Sequence, residues 1–285
     1  MKLKEVLDKT IQFYRDKKIE SPKLEAEWLF SSVLKLDRVQ LYLKFDQPIK
    51  EEELQTLRDG IKRRIAGEPL AYITGSRGFY GYEFKVTPDV LIPRPETETL
   101  VEKALEKIKA LTQDSVRVLD LGCGSGCIGL TVAKKDLRVK VDLIDLSAKA
   151  LEVAQENAKT LKVLEQCQFV NKDAREFLKS TNETYDVILA NPPYIPPNDP
   201  QVEDNVKKFE PHLALFAPQG TSALKEWSTL AVDKLGDTGF MMMEMGYDQG
   251  PEMKNHFENL KVFTKVEVIQ DLSQKDRIIS GEIHG

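Results

Sequence analysis

From residue 96 onward, short apolar runs alternate with stretches of helical spacing, and this alternation limits the possible folds more than any other feature of the chain. Such alternation is typical of a parallel sheet with helices on both faces. No helical pattern separates the last two runs, so we expect an antiparallel hairpin at the sheet edge. The pattern predicts a doubly wound, Rossmann-like α/β domain with a mostly parallel, seven-stranded sheet. The predicted strands lie at 116–121, 140–144, 168–171, 186–190, 239–245, 262–269 and 277–283.

The preceding part of the chain has a different character. Residues 1–73 lack strand alternation, and their apolar residues recur at helical spacing, which predicts a small domain of four or five helices. Ser21 before Pro22 predicts a helix start, and Asp37 with Gln40 predicts a capping box. Residues 74–95 are rich in glycine, proline and aromatic residues and predict a linker that carries a β-hairpin. The expected division is therefore 1–73, 74–95 and 96–285.

A glycine-rich loop follows the first strand of the predicted sheet. It runs from Asp120 to Gly129 and contains Gly122, Gly124 and Gly126, which allow sharp turns and a close approach of the backbone to a ligand. This indicates a nucleoside cofactor. Residues 124–129 also satisfy the pattern GxGxxG, so a nicotinamide dinucleotide is an alternative. Asp145, at the end of the second strand, suits the ribose hydroxyls of either cofactor.

The ends of the next two strands favour S-adenosylmethionine over a dinucleotide. Asp173 ends the third strand and can accept a hydrogen bond from an adenine amine, while Asn191 ends the fourth. The carboxyl ends of strands in such a sheet face one crevice. A structural alternative remains for each carboxylate, because Asp145 can cap a helix near Ser147 and Asp173 one near Ala174.

The tetrapeptide Asn191-Pro-Pro-Tyr194 predicts a clamp for a planar NH2 group. Two prolines stiffen the turn and remove donors. The side-chain oxygen of Asn191 and the carbonyl oxygen of Pro192 can each accept one hydrogen, and Tyr194 can lie flat against the group. Catalysis then rests on orientation and on charge stabilisation, because an amide nitrogen is a poor nucleophile and no strong base is nearby. The alternative is an ordinary surface turn after a strand.

Composition excludes several classes of protein. Three cysteines and three histidines support neither a disulfide framework nor a zinc site, and Cys123 and Cys127 are expected to be small buried residues. No apolar stretch reaches membrane-spanning length, and the N-terminus lacks a signal-peptide core, so we expect a cytoplasmic protein with no membrane partner. Net charge is −5, with +2 over residues 1–75 (15 basic against 13 acidic side chains), which gives no basic stripe for nucleic acid.

These motifs together resemble a known family, the bacterial release factor glutamine methyltransferases (PrmC/HemK) among the class I methyltransferases. The resemblance spans nearly the whole chain, and the segment around Arg94 is its most specific part. It rests on Ile92-Pro-Arg-Pro-Glu-Thr-Glu98, Asp120-Leu-Gly-Cys-Gly-Ser-Gly126, Asn191-Pro-Pro-Tyr-Ile195, Phe209-Glu-Pro211, Glu244-Met-Gly-Tyr-Asp-Gln-Gly250 and Asp271 with Asp276-Arg277.

The resemblance implies methylation of the glutamine amide in the Gly-Gly-Gln motif of peptide chain release factors, with S-adenosylmethionine as donor and S-adenosylhomocysteine as product. It implies docking of the factor on the helical domain 1–73, and we expect a monomer. The implied contacts are Gly122, Cys123, Gly124, Ser125 and Gly126 with the methionine part, Asp145 with ribose, Asp173 and Ala174 with adenine, Asn191 with cofactor and substrate, and Asn191, Pro192, Pro193 and Tyr194 with the glutamine.

Three positions depart from the family pattern. Ala174 replaces a larger side chain beside adenine, Gln274 stands where the family usually has glycine, and Pro218-Gln219 replaces a glycine-rich stretch. Arg94, Glu96 and Glu98 are interpreted as structural, because acidic residues favour a helix N-terminus. Glu244 is expected either to order the pocket or to pair with a basic group.

The same motifs leave three alternative functions, and each is less compatible with the sequence. An adenine methyltransferase acting on DNA or RNA would use the same acceptors on a flipped base, but it needs a basic surface. A non-catalytic binding module of the translation apparatus has no need of the loop, Asp145 and the clamp together. A nicotinamide dehydrogenase has no use for the clamp.

Overall fold

The computed structural model describes residues 1–283, so the last two residues of the predicted domain 96–285 lie outside it. The chain divides into two compact units, Met1–Ser76 and a second that begins at Arg77. None of the helices in residues 1–283 is both long and apolar enough to cross a membrane.

The first unit consists of helices around an apolar core. Its helices are α1 (Leu3–Asp16), α2 (Pro22–Leu34), α3 (Arg38–Leu43), α4 (Glu51–Ile65) and α5 (Leu70–Thr74). Ser21 precedes α2 with proline in the first turn, and Asp37 forms a capping box with Gln40. Both predicted helix starts are confirmed. Tyr14, Phe30 and Leu57 are completely buried and lie in one cluster.

A β-hairpin joins the core of the second unit. Its strands are β1 (Ser76–Phe79) and β2 (Tyr82–Lys85). The turn has positive φ at Tyr80 (50°) and Gly81 (78°), which suits the right-handed twist of a two-residue hairpin. Phe79 and Phe84 are buried edge to face, with ring centroids 5.9 Å apart, and both belong to one of the two cores that cover the main sheet.

The main sheet has seven strands within the described residues, as predicted. The strands are β3 (Val116–Leu121), β4 (Val139–Asp145), β5 (Cys167–Asn171), β6 (Tyr185–Ala190), β7 (Leu235–Glu244), β8 (Lys265–Gln270) and β9 (Asp276–Glu282). In space they follow the order β5-β4-β3-β6-β7-β9-β8. The first five strands in this order are parallel, and β9 lies antiparallel between β7 and the edge strand β8, which confirms the terminal hairpin.

Helices cover both faces of this sheet. Along β6, Val187 and Leu189 belong to one buried cluster, whereas Ile188 and Ala190 belong to the other. This explains why the strand sequence is a continuous apolar run and not an alternating one. The helices are α6 (Thr97–Ala110), α7 (Cys127–Lys135), α8 (Ala148–Leu161), α9 (Ala174–Ser180), α10 (Asp204–Phe209), α11 (His212–Leu215), α12 (Ser222–Ala231) and α13 (Gly250–Asn259), with 3-10 turns at Leu164–Gln166 and Val232–Lys234.

Candidate active site

The glycine loop after β3 depends on backbone conformations that other residues rarely adopt. Gly122, Gly124 and Gly126 have φ of 69°, 54° and 78°. At Gly126, which precedes α7, a Cβ atom would lie 2.7 Å from a methyl group of Leu130. The loop is fastened to β4, because the amides of Gly122 and Cys123 both donate to the carbonyl of Ile144. Left-handed backbone and close packing therefore explain the glycines.

Asp145 holds this loop at the end of β4. One carboxylate oxygen accepts from the amide of Gly124 and the other from the amide of Ser147, both at 2.8 Å. Burial raises the pKa of Asp145, and the two amide hydrogen bonds oppose that shift. Ser147, not Asp145, caps α8 by accepting from the amide of Ala150. The carboxylate of Asp145 therefore holds the glycine loop, and Ser147 caps the helix.

Asp173 caps a helix, which is the structural role that the sequence offered as the alternative to ligand binding. It caps α9, accepting from the Arg175 amide at 2.8 Å, and the guanidinium of the same arginine donates to both carboxylate oxygens at 2.9 and 2.7 Å. These bonds lower the pKa of Asp173 to about 2. These bonds, with a contribution from the Glu176 amide, use most of the roughly four acceptor positions of the carboxylate, so its contact with an adenine amine stays a prediction.

The Asn191-Pro-Pro-Tyr194 turn leaves the end of β6 and is anchored by its neighbours. Asn191 Nδ2 donates to Thr97 Oγ1 at 3.3 Å, and Gln249 Nε2 donates to the carbonyl of Tyr194 at 3.0 Å. Among the described residues, no donor bonds to Asn191 Oδ1 or to the Pro192 carbonyl. The two acceptors that the sequence assigned to a substrate amide therefore carry no hydrogen bond within the described part of the chain.

Glu244, at the end of β7, connects two of these groups. Its carboxylate is 1% exposed and accepts from Thr97 Oγ1 at 2.6 Å and from the Tyr194 hydroxyl at 3.0 Å. Burial raises the pKa of Glu244 despite these bonds, and burial with the nearby carboxylate raises that of Tyr194. Of the two expectations for Glu244, ordering of the pocket describes these contacts.

A cavity of about 740 Å³ connects most of the predicted site residues. This volume is within the range of small-molecule sites, about 300–1,000 Å³. Gly126, Pro192 and Tyr194 are not among the lining residues. The predicted residues that do line it are Gly122, Cys123, Gly124, Ser125, Asp145, Asp173, Ala174, Asn191 and Pro193.

Comparison with known proteins identifies the family. Residues 5–75 match the PrmC N-terminal domain, and residues 97–209 match the methyltransferase small domain. The release factor glutamine methyltransferase of Chlorobaculum tepidum is 39% identical over 282 residues, which cover 97% of this chain and 95% of that protein. The chain belongs to the release factor glutamine methyltransferase family. Another member, from Leptospira interrogans, is 40% identical over 245 residues, or 84% of each chain.

The fold is that of the S-adenosylmethionine-dependent methyltransferases. The crystal structure of one from Agrobacterium tumefaciens matches with a TM-score of 0.50 at 17% identity, over 73% of this chain and 70% of that chain. This likeness concerns the fold alone. It agrees with the mostly parallel seven-stranded sheet and with the glycine loop after its first strand in sequence.

Two departures from the family pattern fall on left-handed backbone. Gln274, in the turn between β8 and β9, has φ of 60°, and Gln219 has φ of 63°. Glycine adopts this region at little cost, which agrees with the glycine that the resemblance implies at these positions.

The structure adds residues that sequence reasoning missed. Thr97 lines the cavity and bonds to both Asn191 and Glu244. Trp227 also lines the cavity, and a Cβ atom added to Gly122 would lie 3.1 Å from its ring. Thr97 lies in the segment 92–98, which was singled out as part of the family resemblance, whereas no sequence motif pointed to Trp227.

Arg94 and Glu98 make contacts within the fold, and Arg94 also lines the cavity. Arg94 Nη2 donates to the buried Glu210 at 2.6 Å, and Glu98 accepts from the amide of Tyr80 at 2.8 Å. The Arg94–Glu210 pair joins two walls of the cavity, because residues 88–94 and 211–219 contribute to its lining. Glu96 precedes α6 without a side-chain capping bond.

Proposed function

We propose that this chain transfers a methyl group from S-adenosylmethionine to the side-chain amide nitrogen of the glutamine in the Gly-Gly-Gln motif of peptide chain release factors. The observation that carries the proposal is Asn191 Oδ1, an acceptor that receives no hydrogen bond from the described residues and belongs to a residue that lines the cavity. The neighbouring Pro192 carbonyl likewise receives none. Family membership supports the same substrate, because the relatives are named for this reaction.

The residues present fit the cofactor. Three glycines with positive φ bring the loop backbone to the cavity, and Asp145 has a buried carboxylate next to that loop. We assign Gly122 to Gly126 to the methionine part, Asp145 to the ribose hydroxyls, and Asp173 with Ala174 to adenine. Bound S-adenosylmethionine supplies the electrophilic methyl carbon.

The clamp then orients the substrate. Asn191 Oδ1 and the Pro192 carbonyl each accept one hydrogen of the glutamine NH2 group, so that its nitrogen faces the methyl carbon. Positive charge that develops on this nitrogen is stabilised by the same two oxygens. Orientation of this kind contributes roughly 7–11 kcal/mol at best, so no general base is needed, and the proton leaves after methyl transfer. Pro193 stiffens the turn, and Tyr194, whose hydroxyl donates to Glu244, completes the segment that we assign to the glutamine.

We further propose that the helical domain 1–73 docks the release factor and that residues 74–95 connect it to the catalytic domain. On this proposal the enzyme acts as a monomer, in the cytoplasm, on a protein substrate. It requires neither a nucleic acid nor a membrane partner.

Mass spectrometry of a release factor after incubation with the chain and S-adenosylmethionine tests the function. The expected result is one added methyl on the Gly-Gly-Gln glutamine and none on a factor in which alanine replaces that glutamine. A parallel incubation with DNA and RNA tests the adenine alternative. Methyl transfer to an adenine, with none to the factor, would contradict the proposal.

A further inference from the structure

A chain of hydrogen bonds connects Glu244 to Asn191 through a single hydroxyl group. Thr97 Oγ1 donates to Glu244 Oε2 at 2.6 Å, and Asn191 Nδ2 donates to the same Oγ1 at 3.3 Å. Glu244 is 1% exposed and Thr97 2% exposed, so water does not compete for either group. These two hydrogen bonds join residues that are far apart in sequence: Glu244 ends β7, Thr97 begins α6, and Asn191 follows β6.

The direction of every bond in this chain is fixed by Glu244. An ionised carboxylate only accepts, so the single proton of the Thr97 hydroxyl must point to it. The lone pairs of Oγ1 then face Asn191 and can be satisfied only by the NH2 end of that amide. Asn191 Oδ1 is directed away from Thr97 as a result.

We propose that Glu244 and Thr97 are positioning residues that fix which end of the Asn191 amide meets the substrate. This inference rests on the proposed function. A glutamine NH2 group needs acceptors, and an Asn191 turned through 180° would present donors to it. Both orientations have nearly the same shape, so packing alone does not select between them. The direction of the buried hydrogen bonds from Asn191 to Thr97 and from Thr97 to Glu244 selects one of them.

The surroundings of Glu244 make this selection dependent on pH. Two charged neighbours act on Glu244: Arg277 lowers its pKa, and Glu96 raises it. The other titratable groups nearby are the hydroxyl of Tyr194 and the thiol of Cys127. Burial dominates and raises the pKa of Glu244. A protonated Glu244 can donate to Thr97, which then can donate to Asn191 Oδ1 and stabilise the wrong orientation. Turnover should therefore decline on the acidic side as Glu244 takes up a proton.

Steady-state kinetics of Thr97→Val, Thr97→Ser and Glu244→Gln test the inference, with release factor as the varied substrate. Thr97→Val keeps the shape but removes the polar link, and we expect kcat to fall about 10- to 100-fold, as for other residues that orient a functional group. KM for the factor should change by less than about 3-fold, because docking involves many other contacts. Thr97→Ser should restore kcat to within about 3-fold of wild type.

Glu244→Gln provides a second, independent measurement. A glutamine at this position can turn either its oxygen or its nitrogen to Thr97, so it no longer fixes the polarity at any pH. We expect a smaller loss of kcat than in Thr97→Val, together with disappearance of the acidic decline in kcat that wild type shows.

Thr131→Val is the matched control, since Thr131 is also fully buried and its hydroxyl donates to the carbonyl of Cys127. It should lose stability like Thr97→Val but keep wild-type kcat. The inference is overturned if Thr97→Val retains kcat within about 3-fold of wild type, or if Thr97→Ser is as impaired as Thr97→Val. If Thr97→Val does not fold, an unchanged acidic decline in Glu244→Gln overturns it. Absence of methylation by wild type itself would refute the proposed function instead.

Discussion

Two parts of the proposed site are built from different kinds of interaction. We call the part at the glycine loop, to which the cofactor is assigned, the cofactor end, and the part at residues 191–194, to which the glutamine is assigned, the substrate end. At the cofactor end, Gly122, Gly124 and Gly126 set the loop through backbone conformation, and Asp145 is bonded to main-chain amides. At the substrate end, the chain Glu244, Thr97 and Asn191 consists of side-chain to side-chain bonds. The cofactor end should therefore respond to changes in backbone freedom, and the substrate end to the loss of a single polar atom.

The largest expected effect is that of Asn191→Ala at the substrate end. Removing one acceptor of developing charge costs about 3–4 kcal/mol, by analogy with donors of an oxyanion hole, so kcat should fall about 100- to 1,000-fold. The affinity for S-adenosylmethionine, measured by calorimetry, should weaken far less. Asn259→Ala, at the exposed end of α13, is the control and should retain full turnover. Near-wild-type kcat in Asn191→Ala would contradict the claim that the substrate end depends on single polar atoms.

Gly126→Ala should affect the cofactor end instead. The new Cβ atom meets Leu130 at 2.7 Å and the residue must keep a φ of 78°, so we expect a loss of about 2–3 kcal/mol in the free energy of unfolding. Weaker binding of S-adenosylmethionine should follow, with kcat at saturating cofactor little changed. Gly75→Ala has a similar φ of 76° but open space around it, and should lose only the backbone part, about 1 kcal/mol. Equal losses in the two variants would show that packing around Gly126 is unimportant.

The buried carboxyl group of Asp120, at the start of the glycine loop, should make the free energy of unfolding depend on pH. It is fully buried and accepts from the amide of Gly129, and burial raises its pKa to about 7. Because the folded pKa exceeds the unfolded one, its contribution to stability is complete below about pH 4 and is lost as pH rises through 7. Between pH 5.5 and 8 this amounts to about 2 kcal/mol.

Asp120→Asn lacks this titration. Urea unfolding of the cofactor-free protein at both pH values should show the variant gaining stability relative to wild type as pH rises. A constant difference between the two proteins would mean that Asp120 is ionised throughout this range.

The smallest expected effect is that of Gln274→Gly, in the turn between β8 and β9, which is not part of the cavity lining. Its φ of 60° costs a non-glycine residue about 1 kcal/mol, and greater freedom of the unfolded chain offsets part of the gain. We expect a rise of at most about 1 kcal/mol in the free energy of unfolding, with unchanged kcat. A loss of stability would contradict the strain assigned to this turn.

The same contrast explains how much the sequence predicts. Glycines, prolines and strand ends follow local rules, so the loop, the seven strands and the capping box at Asp37 could be derived from the chain alone. Thr97 could not, because its function depends on Asn191 and Glu244, which lie 94 and 147 positions away. Trp227 was missed for the same reason, since only folding brings α12 next to Gly122.

The most direct test of the central claim is a crystal structure of the chain with S-adenosylhomocysteine and a peptide containing Gly-Gly-Gln. We expect the glutamine nitrogen at about 2.9 Å from both Asn191 Oδ1 and the Pro192 carbonyl, with Asn191 Nδ2 still bonded to Thr97. A glutamine amide bound away from residues 191–194, or an Asn191 that presents its nitrogen to the substrate, would contradict it.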